Sequence, residues 1–291
     1  MGKEFLVCVD SDGCVFDSMT AKHRQCFTRV FVDFFYLHPI SDLAGEVWEY
    51  INLESSTRGC NRFKALLRAL DMLRDHPAAA RLSVEVPKLE GLAKWLARAE
   101  VFSNDSLEDE YRRTGDPDLG IALEWSRAGS ELVGRLVGRS IPPFPGVLPA
   151  LAVIAERADI VAITQGPTAM IADEWEAHGL SHWAKAIRGQ EYGTKSRIIA
   201  QAIKGVYGRG KTLVVGDSPC DFEAAKDNGC RFYPIPPGRE DEAWGRIIEE
   251  GFRPFLGGSY SGGAESVLLA DFFRGFEIQG PPSWCSEGSP V

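Results

Sequence analysis

The chain has 291 residues, of which 44% are hydrophobic and 25% charged; this is the balance of a globular protein with a real core, and it excludes disordered and collagen-like chains. Its 41 acidic residues outnumber 32 basic ones, and the formal charge of -9 opposes nonspecific attraction to nucleic acid or to an anionic membrane. There is no signal-peptide pattern and no apolar run of about 18 residues, so the sequence predicts a cytoplasmic protein. The cysteines (Cys8, Cys14, Cys26, Cys60, Cys220, Cys230 and Cys285) are odd in number and scattered, form no CxxC pair and read as reduced thiols. None of the histidines forms HExxH, which disfavours a zinc site.

Along the chain, Phe5 to Val9 is a continuous apolar run that stops at Asp10-Ser11-Asp12-Gly13, the pattern of a buried parallel strand ending in a functional loop. From Ser18 to Pro142 the apolar positions recur at helical spacing instead. Phe27, Phe31, Phe34 and Phe35 form one stripe, Phe63, Leu66, Leu67, Leu70 and Leu73 a second, and Leu89, Leu92, Trp95 and Leu96 a third. The turn residues of Ile141 to Gly146 then announce a return to alternating structure. Four short, mostly apolar runs follow, at Ile160 to Thr164, Ala186 to Gly189, Thr212 to Val215 and Arg231 to Ile235, separated by helical spacing such as Ile171, Trp175 and His178. That alternation predicts βαβ units and a parallel sheet. The predicted organisation is therefore an α/β core over residues 1–17 and 143–291, with an all-helical domain over 18–142 inserted after the first strand. Gly257 to Gly263 lacks the GK[ST] ending of a P-loop and reads as a flexible loop, and the Pro-, Ser- and Gly-rich tail Gly280 to Val291 reads as poorly ordered.

Chemistry concentrates at the strand ends. Alternate side chains of a strand share a face, so Asp10 and Asp12 present two carboxylates together, an arrangement that calls for a bound cation or for one carboxyl kept protonated as an acid. A second acidic pair, Asp217 and Asp221, follows the run that ends at Gly216. Parallel strands end on one edge, so the four carboxylates converge and offer hard oxygen ligands that suit Mg²⁺. Thr164 brings a hydroxyl to the same edge, and Lys195, at a predicted helix start, brings a positive charge. In the helical stretch, Arg58 and Arg62 lie four residues apart ahead of an amphipathic run. On a helix they would share a face and present two guanidinium groups to a substrate anion; a solvated basic helix start is the alternative.

In order, Asp10-Ser11-Asp12, Thr164, Lys195 and Gly216-Asp217 through Asp221 resemble the four motifs of the haloacid dehalogenase superfamily, over the chain up to Ile235, and the helical insertion resembles its C1-type cap. The resemblance implies a Rossmannoid parallel sheet in the order 5-4-1-2-3. It implies Asp10 as a nucleophile forming an aspartyl-phosphate, Asp12 as the acid and then the base, and Thr164 and Lys195 steadying the phosphoryl oxygens. Gln165 and Gly166, next to Thr164, join Arg58 and Arg62 as candidate substrate-binding residues. Mg²⁺ would be held by Asp10, the Asp12 carbonyl and Asp217, with Asp221 in support. The expected activity is a Mg²⁺-dependent phosphatase acting on a small phosphorylated metabolite. Its rivals are a phosphomutase, a phosphonate hydrolase using Lys22 or Lys64 as a Schiff-base lysine, and a catalytically idle binding protein.

Overall fold

The computed structural model describes residues 2–260 and 262–279; the tail from Gly280 to Val291, with Cys285, lies outside the described residues. The chain divides into two compact units, one made of Met1–Ser18 and Arg139–Ile278, the other of Met19–Gly138.

The first unit is built on five parallel strands: β1 (Phe5–Asp10), β2 (Ala158–Ile163), β3 (Ala184–Arg188), β4 (Thr212–Gly216) and β5 (Arg231–Pro234), in the order β3-β2-β1-β4-β5. This is the expected order, and each strand lies within two residues of its apolar run. The unbroken apolar character of β1 has a direct cause: every residue in it is buried, because both faces of the sheet are covered. Phe5, Val7 and Val9 pack into one cluster with Leu151, Ile154, Trp175, Trp244 and Phe252, while Leu6 and Cys8 pack into another with Ile198, Ile199, Ala225 and Phe272.

The register sets the chemistry at one edge. Asp10 lies opposite Ile163 of β2, and Val9 opposite Val215 of β4, so Asp10, Thr164 and Asp217 leave the sheet side by side at its carboxyl edge. That edge, beside the strand where the order reverses, is where open α/β sheets bind ligands.

The outer strand β5 is finished by the C-terminal segment. Glu265 Oε1 accepts the Phe232 N–H at 2.9 Å, and the Tyr260 hydroxyl donates to the Phe232 carbonyl at 2.8 Å, so side chains satisfy backbone groups that an edge strand leaves open. Tyr260 belongs to the stretch read as a flexible loop, yet it is buried. Beyond it, the helix Gly263–Gln279 lays Phe272 and Phe273 against Phe232 and Phe222.

The second unit contains no strand among the described residues. Its longer helices are Arg62–Arg74, Asn104–Thr114 and Pro117–Leu136. The predicted stripes contribute Phe31, Phe63 and Trp95 to an aromatic core that Trp48 and Trp125 complete: Trp48 and Trp125 pack edge-on with ring centroids 5.6 Å apart, Phe31 lies 5.0 Å from Trp48, and Phe63 stands edge-on to Trp95 at 5.6 Å. No helix among the described residues is long and apolar enough to cross a membrane.

Candidate active site

β1 delivers Asp10 to the carboxyl edge, and the chain then turns sharply through Gly13, whose φ of 82° favours a residue without a Cβ. The Ser11 carbonyl anchors this turn, accepting N–H groups from Cys14 at 3.3 Å, Val15 at 2.9 Å and Phe16 at 3.2 Å. Asp12, in the turn, accepts a 2.6 Å hydrogen bond at Oδ1 from the Ser18 hydroxyl.

Lys195 opens the helix Lys195–Ile203, which Thr194 caps through the Arg197 N–H, and its buried ammonium bridges two carboxylates. Its Nζ lies 3.0 Å from Asp10 Oδ1 and 2.6 Å from Asp221 Oδ1. Asp221 is fixed from its other oxygen: the Ser218 hydroxyl donates to Oδ2 at 2.6 Å and the Ser218 N–H at 3.2 Å, while Ser218 Oγ accepts the Asp221 N–H. This reciprocal capping box begins the helix Pro219–Asp227. Only glycine fits before it, because a Cβ on Gly216 would lie 2.5 Å from the Asp221 side chain.

After β2, the Thr164 N–H donates to the Arg188 carbonyl at 3.0 Å, and its Oγ1 accepts the Gly166 N–H at 3.0 Å. A Cβ on Gly166 would sit 3.4 Å from that Oγ1 and 3.9 Å from Asp12 Oδ2, so both candidate residues lie close to the bare glycine backbone. The Gln165 amide donates to the Gly193 carbonyl at 3.4 Å and to the Thr164 carbonyl at 3.5 Å.

Asp10, Asp217 and Asp221 are all buried, with carboxylate oxygens within 4.8 Å of one another. Burial, then the charge of Asp221, pushes the Asp10 carboxyl well above its ordinary range despite the attraction of Lys195. Burial likewise raises Asp221, against the pull of Lys195. For Lys195, burial acts downward, but the charges of Asp10, Asp221 and Asp217 outweigh it and hold the ammonium above its usual value. Lys195 therefore stays charged, and one ammonium faces three carboxylates. An all-oxygen, buried, electron-rich set of this kind fits a hard divalent cation such as Mg²⁺. Because both oxygens of Asp221 already accept hydrogen bonds, Asp10 and Asp217 are the better placed of the three to ligate it.

Asp10, Lys195, Asp217 and Asp221 thus come together, with Asp12, Thr164 and Gly166 next to them. Arg58 and Arg62 belong to the other unit and do not share a helical face, contrary to the reading from their spacing. The helix begins at Arg62, where the Asn61 side chain accepts the Phe63 N–H; Arg58 lies in the preceding turn, which Gly59 completes at φ 74°. The Arg58 guanidinium is buried and donates to the Leu53 carbonyl at 3.0 Å. That of Arg62 donates to Ser130 Oγ at 2.7 Å and lies 5.0 Å over the Phe27 ring. Sequence reasoning missed Ser11, Ser18 and Ser218. Of these only Ser218 carried a local signal, since Ser-x-x-Asp ahead of a helix is a capping box.

The first unit has a haloacid dehalogenase-like α/β fold, and the second unit is helical. Solved structures make the likeness concrete. A Bacteroides fragilis chain described as a haloacid dehalogenase-like hydrolase matches 83% of this chain and 93% of its own at 14% identity, with a TM-score of 0.53. A Haemophilus somnus 129pt protein described as a predicted phosphoglycolate phosphatase matches 86% and 98% at 16% identity and TM-score 0.52. A Thermotoga maritima protein described as a β-phosphoglucomutase matches 85% and 99% at 15% identity and TM-score 0.50. No family model and no curated protein sequence matches the chain. At such identities the likeness is one of fold, and function has to be argued from the site.

Proposed function

We propose that the protein is a Mg²⁺-dependent phosphatase that hydrolyses a small phosphorylated metabolite through an aspartyl-phosphate on Asp10. The observation that carries this reading is the buried chain Asp10–Lys195–Asp221, with Asp217 beside it and Asp12 held by Ser18 next to Thr164 and Gly166.

The chain's own groups account for both half-reactions. In the first, a carboxylate oxygen of Asp10 bonds to phosphorus as the bond from phosphorus to the leaving oxygen breaks, and Asp12 gives that oxygen its proton. In the second, Asp12 takes a proton from water, whose oxygen bonds to phosphorus as the Asp10–phosphorus bond breaks; Asp10 is freed and Asp12 is protonated for the next turnover. The Thr164 hydroxyl, already oriented by the Gly166 N–H, donates to a phosphoryl oxygen, and Lys195 fixes Asp10 while offsetting charge. Asp10, the Asp12 carbonyl and Asp217 would hold Mg²⁺, which would supply the charge neutralisation that makes attack of one anion on another feasible.

The neighbour described as a phosphoglycolate phosphatase supports a small phosphate ester as substrate class. The one described as a β-phosphoglucomutase supports a second reading, in which the phosphoryl group returns to a sugar hydroxyl instead of water. Release of inorganic phosphate from p-nitrophenyl phosphate, with Mg²⁺ and with EDTA, tests the first reading. No Mg²⁺-dependent release would overturn it, and isomerised hexose phosphate without net phosphate release would establish the second.

A further inference from the structure

Two buried tryptophans, far away in sequence, reach the same short turn. Trp175, on the helix Thr168–Ala177, donates its indole N–H to Ser11 Oγ at 3.0 Å across 164 residues of chain. Trp244, on the helix Glu240–Arg246, donates its own to the Cys14 carbonyl at 2.7 Å across 230 residues. Ser11 and Cys14 are both fully buried, as is Trp175, and Trp244 is 1% exposed. A buried indole N–H needs an acceptor, and a buried serine hydroxyl is costly without a partner. These two have the turn between Asp10 and Phe16 as theirs.

The consequence concerns Asp12 more than Asp10. Asp10 belongs to β1, where the ladder opposite Ile163 and the ion pair with Lys195 define its place. Asp12 stands beyond the last ladder position, so its height above the sheet follows the pitch of the turn. That pitch is set by the Ser11 carbonyl, which gathers the Cys14, Val15 and Phe16 N–H groups, and by whatever holds Ser11 and Cys14 in place. We propose that Trp175 and Trp244 are positioning residues that clamp this turn from two helices and thereby set the reach of Asp12 to the leaving oxygen. The inference rests on the phosphatase reading above.

Because Asp12 acts on the leaving oxygen, a loosened clamp affects substrates unequally. p-Nitrophenolate leaves without a proton, whereas an alkoxide does not. Trp175→Phe, which keeps an apolar ring and removes the N–H, is therefore expected to lower kcat for an alkyl phosphate such as glycerol 3-phosphate by about tenfold or more, the cost of a poorly placed acid. It should lower kcat for p-nitrophenyl phosphate by less than about threefold, with KM unchanged for both. Ser11→Ala removes the same hydrogen bond from the other side, so it should reproduce this selectivity, and the double variant should be no worse than either single one. Trp244→Phe should show the same selectivity through the Cys14 carbonyl, and with Ser11→Ala it keeps the test intact should Trp175→Phe fail to fold.

Equal losses on both esters in step with a falling Tm would overturn the proposal in favour of packing alone, and so would an undiminished rate on the alkyl ester. A wild-type protein that hydrolyses neither ester would overturn the phosphatase reading and this one together. A wild-type enzyme active on both, with unselective variants, would overturn only the clamp.

Discussion

In the proposed reaction Asp10 would be both a nucleophile and one of three buried like charges, and these demands pull in opposite directions. Burial and the charge of Asp221 raise its carboxyl, so in metal-free protein the charge that chemistry needs is one the fold holds at a cost. Asp10→Asn keeps the shape and removes one of the repelling charges. It should abolish turnover while leaving the metal-free Tm unchanged or higher; turnover near the wild-type rate would remove Asp10 as nucleophile. Ser18 makes a subtler contribution, because its hydroxyl donates to Asp12 Oδ1 at 2.6 Å and so orients the carboxyl group. Ser18→Ala should therefore lower kcat for an alkyl phosphate by more than for p-nitrophenyl phosphate, whose leaving group departs without a proton. Equal effects on the two esters would leave Ser18 with a merely structural part.

The strands and helices of the first unit divide the labour between opposite edges of the sheet. At the amino edge, Asp159 of β2 accepts hydrogen bonds from Lys185 of β3 at 2.6 Å, from the Tyr207 hydroxyl at 2.6 Å and from the Lys3 N–H at 3.2 Å, tying three segments where no catalytic group lies. Burial acts to raise the Asp159 carboxyl, but these hydrogen bonds prevail and hold it below its ordinary value. A carboxyl depressed by folding contributes stability that is fully present above its unfolded pKa and is lost as pH falls through its folded one. Asp159→Asn should therefore cost on the order of 1 kcal/mol near neutral pH, discounted for the half-exposed Lys185. The gap from wild type should close on acidification below about pH 4, with kcat untouched. Denaturant titrations at several pH values read this directly, and a pH-independent gap would refute it. At the outer strand, Glu265→Ala removes the acceptor of the Phe232 N–H and the partner of Arg231. It should cost about 1 to 3 kcal/mol and leave β5 open to pairing with another chain, visible as increased light scattering on mild heating.

In the folded protein as a whole, the excess of negative charge at the site would couple the proposed metal binding to stability. A cation that binds only the folded chain adds RT ln(1 + [L]/Kd), about 2.7 kcal/mol at a hundredfold excess over Kd. Mg²⁺ should thus raise Tm as well as activity, EDTA should remove both effects, and Ca²⁺ should not restore turnover, because its longer bonds and extra ligands misplace Asp10. Asp217→Ala should sharply weaken the Mg²⁺-dependent rise in Tm; an unchanged rise would exclude Asp217 as a ligand.

Strand positions and the acids at their ends were legible in the chain itself, because both signals are local. An apolar run closed by Asp10 or by Gly216-Asp217 marks a buried strand and its functional edge within a few residues, and the stripes that begin at Phe27, Phe63 and Leu89 mark helices by spacing alone. The order of the strands came with the resemblance of the motifs rather than from periodicity, and the structure has that order. Local spacing failed at Arg58 and Arg62, where the Asn61 cap and the Gly59 turn started the helix later than the charges suggested. It was also silent on what holds the acids in place. That Lys195 would bridge Asp10 to Asp221, that Ser18 would face Asp12, and that two indoles would meet at one turn depends on contacts between segments as much as 230 residues apart. Only tertiary packing decides these, because a side chain's composition states what it can bond but not which distant backbone will be brought within reach.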